Sequence, residues 1–149
     1  MGDLRSVETR EFSLSFGKHA CPVARMIAPE SKAQTLQKRL VLFGTAIFQI
    51  SSKLPKTWQS THIAKQLLRA GTAAAANYGE ARGAESRADF IHKLRIVLKE
   101  LNETAVWLSM IEQSRLLPRE TTVGIVAENE ELCRIIGASI RTAGGFDRS

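Results

Sequence analysis

The sequence predicts an all-α fold, an antiparallel four-helix bundle. Three observations lead there. Apolar residues recur at alternating three- and four-residue steps through most of the chain after Ser31. Breakers at Leu54-Pro55-Lys56-Thr57, Gly83 and Gly144-Gly145 punctuate that pattern. No stretch of useful length alternates as a strand would. Four helices joined by short connections place sequence neighbours antiparallel.

Residues 1–30 show no sustained helical period and read as a mobile leader, with a short turn around FSLSF. Met26 offers a start for a shorter product. The bundle occupies residues 31–145. Ser31 and Gln34 form a capping-box pair, each side chain satisfying an amide left open at a helix start. Leu36, Leu40, Phe43, Ile47, Ile50 and Leu54 then mark the core stripe of a first helix over about residues 32–53. A second helix is expected over 60–82, with Ile63, Leu67, Ala70, Ala74, Asn77 and Ala81 facing inward and Gly83 as a positive-φ C-terminal cap. The small side chains from Ala70 to Ala76 favour helix and let a neighbouring helix come close. Ser86 as N-cap, with Asp89 three residues on, opens a third helix that runs to about Arg115. The fourth is expected over 119–143, with Val126, Cys133, Ile136 and Ile140 on its stripe.

The third helix carries apolar residues on two faces. Phe90, Ile91, Leu94, Val97, Leu98, Leu101, Ala105 and Leu108 form one. Ile96, Trp107, Met110 and Ile111 point broadly the other way, where an exposed helix should be polar. Either the helix is covered on both sides or the second face meets another subunit. On the second reading Ile96, Glu100, Glu103, Trp107 and Met110 form an oligomer interface, with the two carboxylates paired to Lys or Arg across it. Paired carboxylates also suit acid–base work or a metal. A carboxylate-bridged metal bundle, however, needs Glu-x-x-His on two helices, and Asp89-x-x-His92 is the nearest approach. No metal and no other cofactor is expected.

A length of 149 residues fits one domain with one core. No run of eighteen apolar residues exists, so no membrane span is expected. The N-terminus has no apolar stretch suited to a secretory signal. Cys21 and Cys133 have neither metal-ligand spacing nor a disulfide framework, which favours a reduced cytoplasmic setting. The formal charge is +6, and residues 31–117 hold thirteen Lys/Arg against six Asp/Glu, a net of +7. A basic body attracts polyanions, nucleic acid above all, although charge also serves solubility.

Phosphate loops of the GxxxxGK[ST] and GxGxxG kinds are absent, and His19, His62 and His92 lie scattered. Asn77, inward among alanines, reads as a structural amide that fixes helix register. Lys65, Arg69, Arg82, Arg87, Lys93 and Arg95 are the expected phosphate contacts. Few aromatics interleave with them, and Trp58 is the one candidate for stacking on a single strand.

The segment QLLRAGTAAAANYGEARGAESRADFIHKLRIVLKELNETAVWL, with SSKLPKT before it and ELCRIIGASIRTA after it, resembles the four-helix-bundle family of proteins encoded in intervening sequences of bacterial 23S ribosomal RNA genes. The likeness covers about residues 33–143, and its signature falls on Gln66, Arg69, Asn77, Tyr78, Glu80, Ser86, Asp89, Phe90, Lys93, Lys99, Glu100, Glu103 and Trp107. Ala73 and Ala75 stand where many members carry Ser and Gly, and Gly79 where many carry a basic residue. The resemblance implies an up-and-down bundle that assembles into a ring, typically a homopentamer, with no established enzymatic activity. It also implies a fold similar to the accessory protein of diversity-generating retroelements, a basic pentamer that engages nucleic acid. The expected function is therefore a non-enzymatic homo-oligomeric bundle that binds RNA or DNA electrostatically as an accessory or scaffold. The alternative is an assembly module for a protein partner, with no nucleic-acid role.

Overall fold

Ser31 starts the first helix as its spacing requires: its hydroxyl accepts from the Gln34 amide at 3.2 Å while the Gln34 side chain accepts from the Ser31 amide at 2.9 Å. The computed structural model describes residues 30–145. Four helices follow one another, α1 (Lys32–Lys53), α2 (Trp58–Arg82), α3 (Arg87–Gln113) and α4 (Arg119–Gly144), with no strand among the described residues. The expected leader lies outside them, apart from Glu30. Consecutive helices pack side by side, and α1 closes the ring against α4. The diagonal pairs make no close backbone approach, so the arrangement is an up-and-down four-helix bundle. The α1–α2 and α3–α4 turns therefore share one end, and the α2–α3 turn lies at the other. No described helix is long and apolar enough to cross a membrane.

The core runs down the bundle axis through Leu40, Phe43, Ile47 and Ile50 of α1, Leu67, Ala70, Ala74, Tyr78 and Ala81 of α2, Leu94, Val97, Leu101, Leu108 and Ile111 of α3, and Ile125, Leu132 and Ile136 of α4. Several stripes differ from the sequence expectation. In α2, Tyr78 is buried where Asn77 was expected, and Asn77 is half-buried, donating to the Ala73 carbonyl of its own helix at 2.9 Å. Tyr78 lies two turns on from Gly71, which is itself buried at the close approach of α1. Any side chain at Gly71 would meet Ile47, its Cβ lying 2.7 Å from both Cγ1 and Cγ2.

In α3, Ile111 belongs to the core and Ala105 is exposed, because the buried stripe continues in three- and four-residue steps through Val97, Leu101, Thr104, Leu108 and Ile111. In α4, Val126, Cys133 and Ile140 are only half-buried, and two polar residues take inward places. Thr122 donates to Glu112 at 2.7 Å, and Asn129, 1% exposed, donates to the Leu101 carbonyl at 3.1 Å. The first bond offsets the desolvation of the hydroxyl, whereas the amide of Asn129 is met only at Nδ2, its Oδ1 being buried without a partner among the described residues. The buried amide that bonds across to a neighbouring helix is therefore Asn129, whereas Asn77 bonds within its own.

Helix ends differ in detail too. Thr57 caps α2, accepting from the Ser60 amide at 3.2 Å, so the helix begins at Trp58 and not at Ser60. Gly83 has φ −97° and needs no glycine conformation; the turn closes instead through Gly83 and Ala84 amides donating to the Glu80 and Ala81 carbonyls. The left-handed residue at a turn is Arg115, with φ 52°. There the amides of Leu116 and Arg115 donate to the Ile111 and Glu112 carbonyls, the paired bonds of a Schellman ending.

Candidate nucleic-acid interface

The α2–α3 seam gathers the residues that the sequence divides between a phosphate site and an oligomer interface. Arg69 leans from α2 onto α3, where Nη2 donates to Glu103 and Nη1 lies 3.6 Å from Glu100. Trp107 donates through Nε1 to the same Glu103 at 3.3 Å and meets the His62 ring edge-on, with centroids 5.9 Å apart. The Arg69 hydrogen bond and then the Trp107 one hold the Glu103 carboxyl below the usual carboxylate range. Conversely, Glu103 raises the guanidinium of Arg69. Glu100 is buried. Both carboxylates thus find their cation within the subunit. Ile96 and Trp107 are half-buried, and of the five expected interface residues Met110 alone is exposed, beside Val106.

The other expected phosphate contacts are dispersed. Lys93 sits 3.8 Å from both Glu80 and Asp89. Arg87 donates through Nε to the Ala143 carbonyl at the end of α4. Lys65, Arg82 and Arg95 are exposed and make no ion pair among the described residues. They do not converge: Lys65 and Arg82 are seventeen residues apart on α2, about 25 Å along its axis. Glu80, Asn77 and the Glu100–Glu103 pair each have separate partners. Among the described residues no three His, Cys, Asp or Glu side chains could hold a metal ion together. Burial, and then Glu130, push the Cys133 thiol up, away from the reactive thiolate.

A stronger electrostatic feature is written in the sequence order. Residues 31–79 contain seven Lys/Arg and no Asp or Glu. All the acids from Glu80 to Glu131 lie on the end of α2, on α3 and α4 and in their turns. Three of the seven cations are paired: Lys38 with Glu30, Arg39 with Glu128 at 2.6 Å, and Arg69 with the α3 carboxylates. Lys32, Lys53, Lys56 and Lys65 are exposed and make no ion pair among the described residues. The last three lie at the α1–α2 turn or within two helical turns of it. Between them runs a groove of about 490 Å³, lined by Phe48, Leu54, Pro55, Ala64 and Leu68, with Lys56 and Lys65 on its margin. Lys53 and Lys56 were missing from the sequence-based site. The signal that finds them is the long acid-free interval, which a net charge averaged over residues 31–117 hides.

Residues 32–138 match the profile of the 23S rRNA-intervening sequence proteins. Among solved structures, the chain is similar to a protein of unknown function from the S23 ribosomal protein family of Bacteroides thetaiotaomicron. The two share 34% identity and superpose with a TM-score of 0.69, over 74% of this chain and 98% of that one. No curated protein matches.

Proposed function

The chain belongs to the 23S rRNA-intervening sequence protein family, and from its charge layout we propose that it is a non-enzymatic accessory or scaffold protein that binds RNA or DNA electrostatically through the α1–α2 surface. One observation carries the reading: seven cations and no acid over residues 31–79, with four lysines left exposed after the α3 and α4 carboxylates have taken Arg39 and Arg69. Such a surface neutralises phosphates without reading sequence. Lys53, Lys56 and Lys65 are the principal contacts, and Arg82 and Arg95 are secondary ones. Arg69, Arg87 and Lys93 serve the fold.

Self-association belongs to the same proposal. Val106 and Met110 present an apolar strip on the outward face of α3, the side chains a neighbouring copy would cover. A ring of subunits would multiply the lysine sites and raise avidity. Light scattering after size exclusion reads the subunit number, and Met110→Glu should lower it.

Anisotropy titration of labelled RNA and DNA between about 50 and 200 mM salt tests the binding. Three phosphate contacts give a slope of log K against log salt of roughly −2 to −3, a loss of about 20- to 40-fold over that range. Replacing Lys53, Lys56 and Lys65 together with Gln should flatten the slope, whereas Arg69→Gln should not. Absence of binding at the lowest salt overturns the proposal in favour of a protein-assembly module whose charge serves solubility.

A further inference from the structure

Two large aromatic side chains stand out of the bundle at the end where the unpaired lysines collect. Trp58 is 79% exposed and Phe48 is 60% exposed. Phe43 and Tyr78 are buried and Phe90 and Trp107 half-buried, so exposure is not the rule for aromatics here. Trp58 begins α2 and shares the outward face of Lys65, seven residues or about 10 Å further along the helix. Phe48 lies across the groove from Lys65, and both line it. Ser52 and Thr61 contribute hydroxyls to the same walls.

Resting on the nucleic-acid reading above, we infer that this edge is a platform for single-stranded nucleic acid. Trp58 and Phe48 stack on unpaired bases while Lys56 and Lys65 lie against the phosphates that join them. A duplex keeps its base faces covered and can use only the lysines. A single strand can use both, since every base has a stacking face whatever its sequence. An anionic bilayer answers the observations less well. It would favour a raised apolar ridge flanked by lysines. Here the aliphatic side chains line a recess with hydroxyls in its walls. Charge complementarity points the same way, because no acid between residues 31 and 79 opposes a phosphate chain.

The test compares a labelled single strand of uridines with a duplex RNA of equal length, both at about 50 mM salt, against the full chain. The single strand should bind roughly tenfold more tightly. Trp58→Ala should weaken single-strand binding by about 5- to 150-fold, the worth of one base–aromatic stack, and change duplex binding less than about twofold. Trp58→Phe should restore most of the loss. Trp58 has little packing to lose, and circular dichroism confirms that each variant is folded. Equal affinity for the two RNAs, or an equal loss on both with Trp58→Ala, overturns the platform and leaves the electrostatic reading standing. Binding to neither RNA overturns both. In that case a blue shift of tryptophan emission on vesicles of anionic lipid, lost in Trp58→Ala, would assign the edge to a membrane surface.

Discussion

Gly71→Ala tests the close approach that holds the α1–α2 surface together. The added methyl would sit 2.7 Å from Cγ1 and Cγ2 of Ile47 and 3.1 Å from its Cβ. Ile47 cannot swing aside: it is fully buried, and a β-branched side chain in a helix has essentially one rotamer. Overpacking of this kind costs about 1–3 kcal/mol. Replacing glycine within a helix returns about 0.5–1 kcal/mol through backbone entropy. The net loss is about 1 kcal/mol, or roughly 4 °C in Tm for a bundle of this size. Gly79→Ala is the control, since its nearest contact would be Gln37 Oε1 at 3.6 Å and only the favourable part remains. Because the replacement is the same, the difference between the two variants isolates the packing cost, about 1–3 kcal/mol. Thermal and urea unfolding by circular dichroism reads it, at one protein concentration because self-association would add its own stabilisation. Ile47→Ala removes both γ carbons, so its own cost of about 2–5 kcal/mol should shrink in the Gly71→Ala background. A Gly71→Ala variant as stable as Gly79→Ala, or strictly additive effects with Ile47→Ala, would refute the close-approach argument.

Acid should loosen the α2–α3 seam: the folded value of Glu103 is depressed, so its contribution is complete above the ordinary carboxylate range and disappears as pH falls through the lowered value. Glu103→Gln should remove that part of the acid sensitivity, read as a flatter fall of Tm between about pH 5 and pH 3. At the α3–α4 turn, Arg115→Gly should raise stability by about 0.5–1 kcal/mol, since the left-handed conformation is strained for arginine and not for glycine. An unchanged or lower urea midpoint would show that the Arg115 side chain contributes something there beyond its backbone.

Helix existence, and most boundaries to within two residues, were legible because local chemistry decides them. The Ser31–Gln34 box, the Ser86 cap and the Pro55 break act within a few residues of chain, and α1 spans the expected residues. Which face each helix turns inward was legible only in part, because it depends on partners. Gly71 has no hydrophobicity to announce it, yet it is buried against Ile47, and Tyr78, two turns further on, is buried in place of Asn77. Thr122 and Asn129 read as surface residues until Glu112 and the Leu101 carbonyl are seen to accept from them. Charge gave the same lesson at the site. Arg69 and Arg87 look free in sequence, and their partners lie on a neighbouring helix or at a helix end; Lys93 has Asp89 one turn back on its own helix and Glu80 on α2.

How the seams are closed explains which cations remain. The α2–α3 seam is bridged by Arg69 with Glu100 and Glu103 and by Lys93 with Glu80, and the α1–α4 seam by Arg39 with Glu128. The α1–α2 seam has no such option, because neither helix carries an acid before Glu80. It closes through the approach of Gly44 and Gly71 and through Gln37 donating to the Ala75 carbonyl at 3.0 Å. A cation on α2 is therefore consumed if it leans toward α3 and left in water if it faces outward or toward α1. Arg69 and Lys65, one helical turn apart, fall on the two sides of that division. The neutral seam is thus more than a packing solution: it leaves the surrounding lysines without internal partners, in water and open to the phosphates that the proposed function assigns to them.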